Sequence, residues 1–424
     1  MSAQPAPSAT PVAHIPWPAA VARRLERHSL TQAAEPPAAP TVPATADVPA
    51  TPTSPDTPTT PSAALARVAS ALCGAHAQVL SAAEVSLALR LPGTTRTDVR
   101  RALWTDRTLV KTYGPRGTVH LLPTRELPLW TGALTAQRAA TARGGGAGTD
   151  HLDPARTDEV VAAVGDALAD AELTVDELTD AVVERVGAWA GERVMEAFQD
   201  KWPRWRSATA IAAQRGALCF GPVRGRRVTY TSPQRWLPGF TPADGDTALA
   251  ALVRRWLYAY GPASPPHFAR WAAAPRGWAD RLFRTLAARG EIEPVDLAGE
   301  PAWVVAGDTA LPAEPPRGLR LLPYFDAYAV GCHPRDRVFP GRAYERALAG
   351  GQAGNFPVLL IDGAVAGVWH QRRSGRTVRL AVEPLAPLSA AQRGELDEEA
   401  RRLGDVLEGT VRLTVGPVRV GAHA

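Results

Sequence analysis

Between residues 63 and 315 the apolar positions repeat one order three times: two helix-period runs, then two alternating runs joined by a turn. The first pass reads "SAAEVSLALRLPG", "TTRTDVRRALWTD" and "RTLVKTYGPRGTVHLLP". The second reads "TVDELTDAVVERVG", "PRWRSATAIAAQRG" and "ALCFGPVRGRRVTYTS". The third reads "PASPPHFARWAAAP", "RGWADRLFRTLAARG" and "EIEPVDLAGEPAWVVAG". Helix, turn, helix, hairpin is the order of a winged helix, so the pattern predicts an α+β chain with three tandem winged-helix units. In the first unit Ser81 and Glu84 are spaced as a capping box that starts one helix, and Pro92-Gly93 stops it. Thr95 or Thr97 caps the next helix.

Beyond residue 316 the period shortens. "LRLLPYFDAYAVG", "FPVLLIDGAVAGVWHQ" and "RTVRLAVEPL" read as strands with turns at Asp362-Gly363 and Ser374-Gly375, followed by a helix and a last strand, "GTVRLTVGPV". They predict a C-terminal antiparallel β region packed on the third unit. Residues 1–62 are rich in Pro, Ala and Thr, with too few large apolar groups to offset chain entropy, and read as a disordered tail. Within it "WPAAVARRLERHSL" reads as at most a transient helix. The expected divisions are therefore a tail at 1–62, units at 63–123, 124–240 and 241–315, and the β region at 316–424. "ARGGGAGTD" lacks the lysine and the strand-before-helix setting of a phosphate loop and reads as a linker.

Composition narrows the class. Of the 424 residues 45% are hydrophobic and 21% charged, the balance of a soluble globular protein, with no membrane-length apolar run and no secretory leader pattern. Cys73, Cys219 and Cys332 are far apart, so neither a disulfide framework nor a structural zinc is expected; no metal or cofactor is implied. A monomer in a reducing cytoplasm fits. Net charge is +5, and only Lys111 and Lys201 among the 47 basic residues are lysine. GC-rich coding accounts for the arginine bias but not for its placement. Residues 90–116 hold seven basic and two acidic groups, residues 151–200 three and thirteen, residues 201–235 eight and none. The basic residues fall on the second helix and hairpin of each unit: Arg100, Arg101 and Arg116, then Arg204, Arg206, Arg224, Arg226 and Arg227. These are the parts a winged helix turns to DNA, and guanidinium suits phosphates and base edges. Arg372 and Arg373, at the tip of "WHQRRSGR", are candidates for the minor groove, and Trp202 and Trp205 for stacking at the DNA face.

One polar interruption stands out, His76-Ala77-Gln78. In an extended junction residues two apart project the same way, so both side chains converge on one small target such as a water. A helix cap or a satisfied interior contact is the commoner meaning of such a pair. Its chemistry nevertheless suits hydrolysis of an N-glycosidic bond whose base already carries positive charge. Such a base leaves without an acid, and the protein has only to position water and stabilise an oxocarbenium-like sugar. Lyase-type excision needs a nucleophilic lysine, and with two lysines in the chain a monofunctional route is favoured. His120 in "RGTVHLLP" reads as a structural hairpin residue, and Asp326 and Tyr328 as buried hydrogen-bonding groups of the C-terminal sheet.

"GAHAQVLSAAEVSLALR", "LVKTYGPRGTVHLLP", "LLPYFDAYAVGCHPRDRV" and "IDGAVAGVWHQRRSG" together resemble the winged-helix family that contains the AlkZ and YcaQ DNA glycosylases, over roughly residues 63 to 418. The resemblance implies three tandem winged helices, a C-terminal β region, and excision of bulky alkylated purines or crosslinks from double-stranded DNA. It also implies that His76 acts as base or electrostatic stabiliser and that Gln78 orients the water. The family motif is Gln-apolar-Gln in the AlkZ-like branch and Gln-apolar-Asp in the YcaQ-like branch. Here Gln78 keeps the second position and His76 departs from the first. A His-apolar-Gln form is associated with relatives linked to self-resistance in producers of DNA-alkylating antibiotics. The expected function is thus a monofunctional DNA glycosylase for cationic N7-alkylguanine-type adducts, working at the nucleoid. The alternative is a non-catalytic winged-helix DNA-binding protein or regulator in which His76 and Gln78 are incidental.

Overall fold

The computed structural model describes residues 12–31, 60–142, 149–197, 200–348 and 350–421. The first surprise lies in the tail, where residues 12–31 are folded. The strand Ala13–Ile15 pairs in parallel with the end of Ile292–Leu297. The helix Trp17–Arg27 follows, with Pro18 in its first turn, where the missing N–H costs nothing. Ala20, Val21 and Leu25 are buried, and so are Arg23 and Arg24, each 1% exposed. Arg24 donates to the carbonyls of His333 and Pro262, both at 2.8 Å, while Arg23 and Arg27 share Asp308 at 2.5 and 2.6 Å. A count of large apolar residues undervalued this segment because arginine stems and alanines supply the packing and the guanidinium heads find carbonyls. The rest of the tail, residues 1–11 and 32–59, lies outside the described residues, as does the linker at 143–148.

Three successive helix–helix–hairpin groups follow. In the first, Pro61–Ala71, capped by Thr60, turns at Cys73 and Gly74 into the short strand Ala75–His76. Helices Leu80–Ala88 and Arg96–Trp104 come next, then the hairpin Leu109–Tyr113 and Val119–Pro123. Ala75–His76 adds to the second hairpin strand, making three. Gly74 is required: at its φ of +91° a side chain is strained, and a Cβ would lie 2.6 Å from Leu122. In the second group Glu172–Thr174 plays the same part beside the hairpin Cys219–Arg224 and Arg227–Thr231. An extra hairpin, Arg193–Glu196 and Lys201–Pro203, interrupts it, and its second helix is only Thr209–Gln214. In the third, Ala263 bridges to Trp303 on one edge of the hairpin Ile292–Leu297 and Glu300–Val305, and the N-terminal strand occupies the other edge.

The capping reading needs one correction. Helix Leu80–Ala88 begins at Val79 with no side-chain cap, so Ser81 and Glu84 form no capping box. Glu84 is buried inside the helix and holds Arg96 at 2.5 Å and Arg100 at 2.8 Å. A buried carboxylate flanked by two guanidiniums outcompetes a solvent-facing cap. Thr95 does cap the next helix, reciprocated by Asp98.

The C-terminal sheet has five strands: Leu319–Leu322, Val358–Ile361, Ala364–Ser374, Thr377–Pro384 and Thr410–Val415. Four are antiparallel neighbours, but the last pair is parallel, because helix Ala390–Val406 carries the chain across before the final strand. "LRLLPYFDAYAVG" is a strand only as far as Leu322; the chain then turns at Phe325 into the helix Ala327–Gly331, capped by Asp326. Among the described residues no helix is long and apolar enough to cross a membrane.

Asp326 does not serve the sheet, as its sequence position suggested. Its carboxylate takes both Arg90 Nη1 (2.7 Å) and Nη2 (2.8 Å) and the Ser86 hydroxyl (2.7 Å), with both ionic side chains 0% exposed. Arg90 Nε also donates to the carbonyl of His28, at the end of the N-terminal helix, at 2.8 Å. Three remote parts of the chain thus meet at one dry ion pair. Tyr328, by contrast, does donate to the Gly363 carbonyl in the sheet's turn. Replacing Asp326 with Ala leaves the Arg90 charge buried and unpaired, and should lower unfolding free energy by about 3–5 kcal/mol. A urea titration showing a loss below about 1 kcal/mol, the value of a surface pair, would refute that weighting.

Candidate functional site

His76 and His120 are directly opposed residues on adjacent strands of the first group. Their rings meet edge-on, 5.2 Å between centroids. Phe325 closes over His76 from the C-terminal region, its ring 4.7 Å away and tilted by 33°. Phe325 has a φ of +54°, a left-handed conformation that a bulky residue adopts only when its surroundings insist. Gly354 makes the room, since a Cβ there would lie 2.9 Å from the Phe325 ring. Arg116, Tyr260, Trp271 and Val330 complete the cleft, which therefore draws on the first group, the third group and the C-terminal region together.

The cleft is small. Its free space is about 10 Å³, the least that holds one water. His76 Nδ1 is buried and has no hydrogen-bond partner among the described residues. His120 Nδ1–H donates to the Thr118 carbonyl at 2.9 Å, which leaves its Nε2 as an acceptor. Burial, reinforced by the nearby Arg116 charge, depresses the His76 imidazole to about 4. His120 is pushed well below the ordinary range, first by burial and then by Arg116 and His76. Both rings are therefore neutral at physiological pH. No aspartate, glutamate or lysine lines the cleft. Lys111 lies elsewhere, over the Phe220 ring at 4.4 Å, and Lys201 pairs with Glu196.

Gln78 is exposed, while Ala75 and Ala77 are buried in the core. The alternation puts Gln78 on the same side of the extended segment as His76, although it does not line the cleft itself. His120 stands beside His76 at the centre of the site, a more intimate position than a hairpin residue suggested. Phe325 was overlooked, although it lies inside the quoted "LLPYFDAYAVG" stretch; only its contact with His76 and its backbone strain reveal it.

The arginines separate into two sets. Arg116 is half-buried, and its Nη1 donates to the Trp271 carbonyl at 2.8 Å, docking the first hairpin against helix Pro265–Ala272. The last carbonyls of a helix attract cations, which accounts for the docking. Arg100 is held by Glu84, Arg204 by Glu192 at 2.5 Å, and Arg224 by Glu177 at 3.0 Å. Arg373 donates to the carbonyls of Leu407 and Gly375 at 2.7 and 3.0 Å. Arg206 lies 4.0 Å over the Trp202 ring. Arg226 and Arg372 are exposed, and Arg101 and Arg227 make only loose contacts to Asp98 (3.9 Å) and Asp176 (3.7 Å). Trp202 is 44% exposed, whereas Trp205 is fully buried and donates to Thr179, so it is unavailable for stacking.

Residues 69–406 match the family described as DNA glycosylase AlkZ-like. An "Interstrand DNA cross-link repair glycosylase" from Streptomyces sahachiroi is 32% identical over 308 residues, 72% of this chain and 81% of that protein. The solved structure of the Streptomyces sahachiroi DNA glycosylase AlkZ superposes with a TM-score of 0.70 at 26% identity, covering 95% of this chain and all of the other. The chain belongs to the AlkZ-like DNA glycosylase family.

Proposed function

We propose that this protein is a monofunctional glycosylase that hydrolyses the N-glycosidic bond of bulky, cationic N7-alkylguanine-type adducts in double-stranded DNA. The observation that carries the reading is the neutral His76, its Nδ1 buried, beside space for one water in a cleft without aspartate, glutamate or lysine. His76 holds the attacking water, Gln78 orients it from the same side of the extended segment at the cleft's outer edge, and the water adds to C1′ of the sugar. The C1′–N9 bond breaks with its electron pair passing to the cationic purine, which leaves as a neutral base. His76 takes the water's proton, and the product strand carries an abasic sugar. Because the leaving group needs no protonation, the missing carboxylate is no handicap. A lysine-free cleft supports hydrolysis over Schiff-base chemistry.

The three helix–helix–hairpin groups are read as winged helices, one chain supplying the whole DNA face. Their divisions follow the hairpins, near residues 123, 240 and 315, with the N-terminal helix joined to the third. Arg101, Arg226, Arg227 and Arg372 are the free phosphate contacts; Arg100, Arg204 and Arg373 would have to exchange internal partners first. A cleft this tight encloses no nucleobase, so the adduct stays outside it while the sugar meets His76. The S. sahachiroi relative's name supports extending the substrates to crosslinks, and a role in repair or in self-resistance to a DNA-alkylating natural product follows from that chemistry.

Incubation with a duplex bearing one 7-alkylguanine, scored as alkali-labile strand breaks, tests the reading. Excision should fall at least about 100-fold in His76→Ala, the usual worth of a positioned base, and less in Gln78→Ala. Full activity in both would overturn the site assignment, and intact DNA binding without excision in the wild type would favour a non-catalytic regulator. The pH profile adds a second check. A base with a pKa near 4 stays unprotonated down to about pH 5, so kcat/KM should show no acid limb near 6.5. Phe325→Ala readmits water and should move that limb upward toward the ordinary histidine value.

A further inference from the structure

Four guanidiniums gather at the Trp271–Val330 side of the cleft. Among the described residues Arg24, Arg116, Arg270 and Arg335 form no ion pair with any carboxylate, whereas Arg23 and Arg27 nearby share Asp308. Arg116 donates to the Trp271 carbonyl, next to Arg270, and Arg24 to the His333 carbonyl. Arg335 donates to the carbonyls of Ala329 and Val330. Asp336, the acidic residue on that segment, is exposed and takes part in no ion pair, and Asp326 is already committed to Arg90.

Between these guanidiniums two imidazoles stack face to face, His267 and His333, 4.8 Å apart and within 7° of parallel. The Ser264 amide donates to His267 Nδ1 at 3.3 Å, so the neutral ring carries its hydrogen on Nε2 and presents a donor there. His267 and Arg270 are three apart on helix Pro265–Ala272 and share one of its faces. Arg270 is exposed. Burial, reinforced by the charges of Arg24, Arg270 and Arg335, depresses His267 to about 4, and both rings stay neutral. Four guanidiniums without a carboxylate partner, beside a cleft whose substrate carries a cationic base, are unfavourable unless an anion arrives with that substrate.

We propose that His267 and Arg270, backed by the stacked His333, the buried Arg24 and the half-buried Arg335, bind one DNA backbone phosphate beside the catalytic cleft. The proposal rests on the DNA reading above. A phosphate there accepts from His267 Nε2–H and from the Arg270 guanidinium, and cancels charge that would otherwise repel the adduct. It also pins the duplex against the third group, so the sugar presented to His76 is set by a fixed phosphate rather than by the base.

The test uses the full chain and a duplex containing a stable tetrahydrofuran abasic-site analogue, titrated by fluorescence anisotropy at several salt concentrations. Arg270→Gln removes an exposed head without disturbing a packed contact, and should lower the salt slope of log K by about 1. A panel of duplexes, each with one uncharged methylphosphonate near the analogue, should contain one position that weakens wild-type binding several-fold and leaves Arg270→Gln unaffected. An unchanged slope, or no such position, overturns the phosphate site while leaving DNA binding intact. Wild-type protein that binds none of these duplexes would instead overturn the function from which the proposal starts.

Discussion

The ion pair between Arg90 and Asp326 is the constraint on which the site depends. It joins the first helix group to the C-terminal region by direct contacts between fully buried side chains, and the same guanidinium reaches the end of the N-terminal helix through the His28 carbonyl. Asp326 is adjacent to Phe325, so the bond that locks the C-terminal region also holds the strained ring that covers His76. A buried ion pair is a poor source of net stability, because desolvation offsets most of its attraction. Its value here is positional: Asp326 has no competing partner of equal strength, so only one docking of the two regions satisfies both charges.

From that docking follows the electrostatic character of the cleft. Ordinary acid–base enzymes surround a histidine with a carboxylate that raises its pKa. This one does the reverse, using burial and Arg116 to keep His76 neutral. Such an arrangement suits a reaction in which the leaving group is already charged and the single proton to be managed belongs to water. It also explains why His76 in place of an amide is tolerable: a neutral imidazole, like a glutamine, presents a lone pair and an N–H without bringing a charge. What it adds is the capacity to accept a proton outright.

Much of the architecture was legible in the chain because periodicity and turn chemistry are local. The three hairpins, the Thr95 cap and the Asp362-Gly363 turn all stand where their residues suggest. The failures share another cause, in that each depended on a distant partner. Ser81 lost its capping role because Glu84 was claimed by Arg96 and Arg100, and the N-terminal segment folds because remote carbonyls receive its arginines. Arg116 docks on a helix end in the third group, a partner that no local pattern reveals. The parallel final strand follows from a crossover helix, not from any pattern within the strand itself. His76 was visible as a polar interruption, whereas Phe325 was hidden among apolar neighbours; ring contacts across 249 positions of sequence carry no periodic signal.

The central claim is that His76 is held neutral and ready beside the water it deprotonates. Nitrogen-15 NMR of protein labelled in its histidine rings, titrated from neutral to acid pH while folded, measures this directly. The account predicts that the His76 ring nitrogens report a neutral imidazole through pH 5 and protonate only near 4. Titration at about 6.5, as for a solvated histidine, would contradict it.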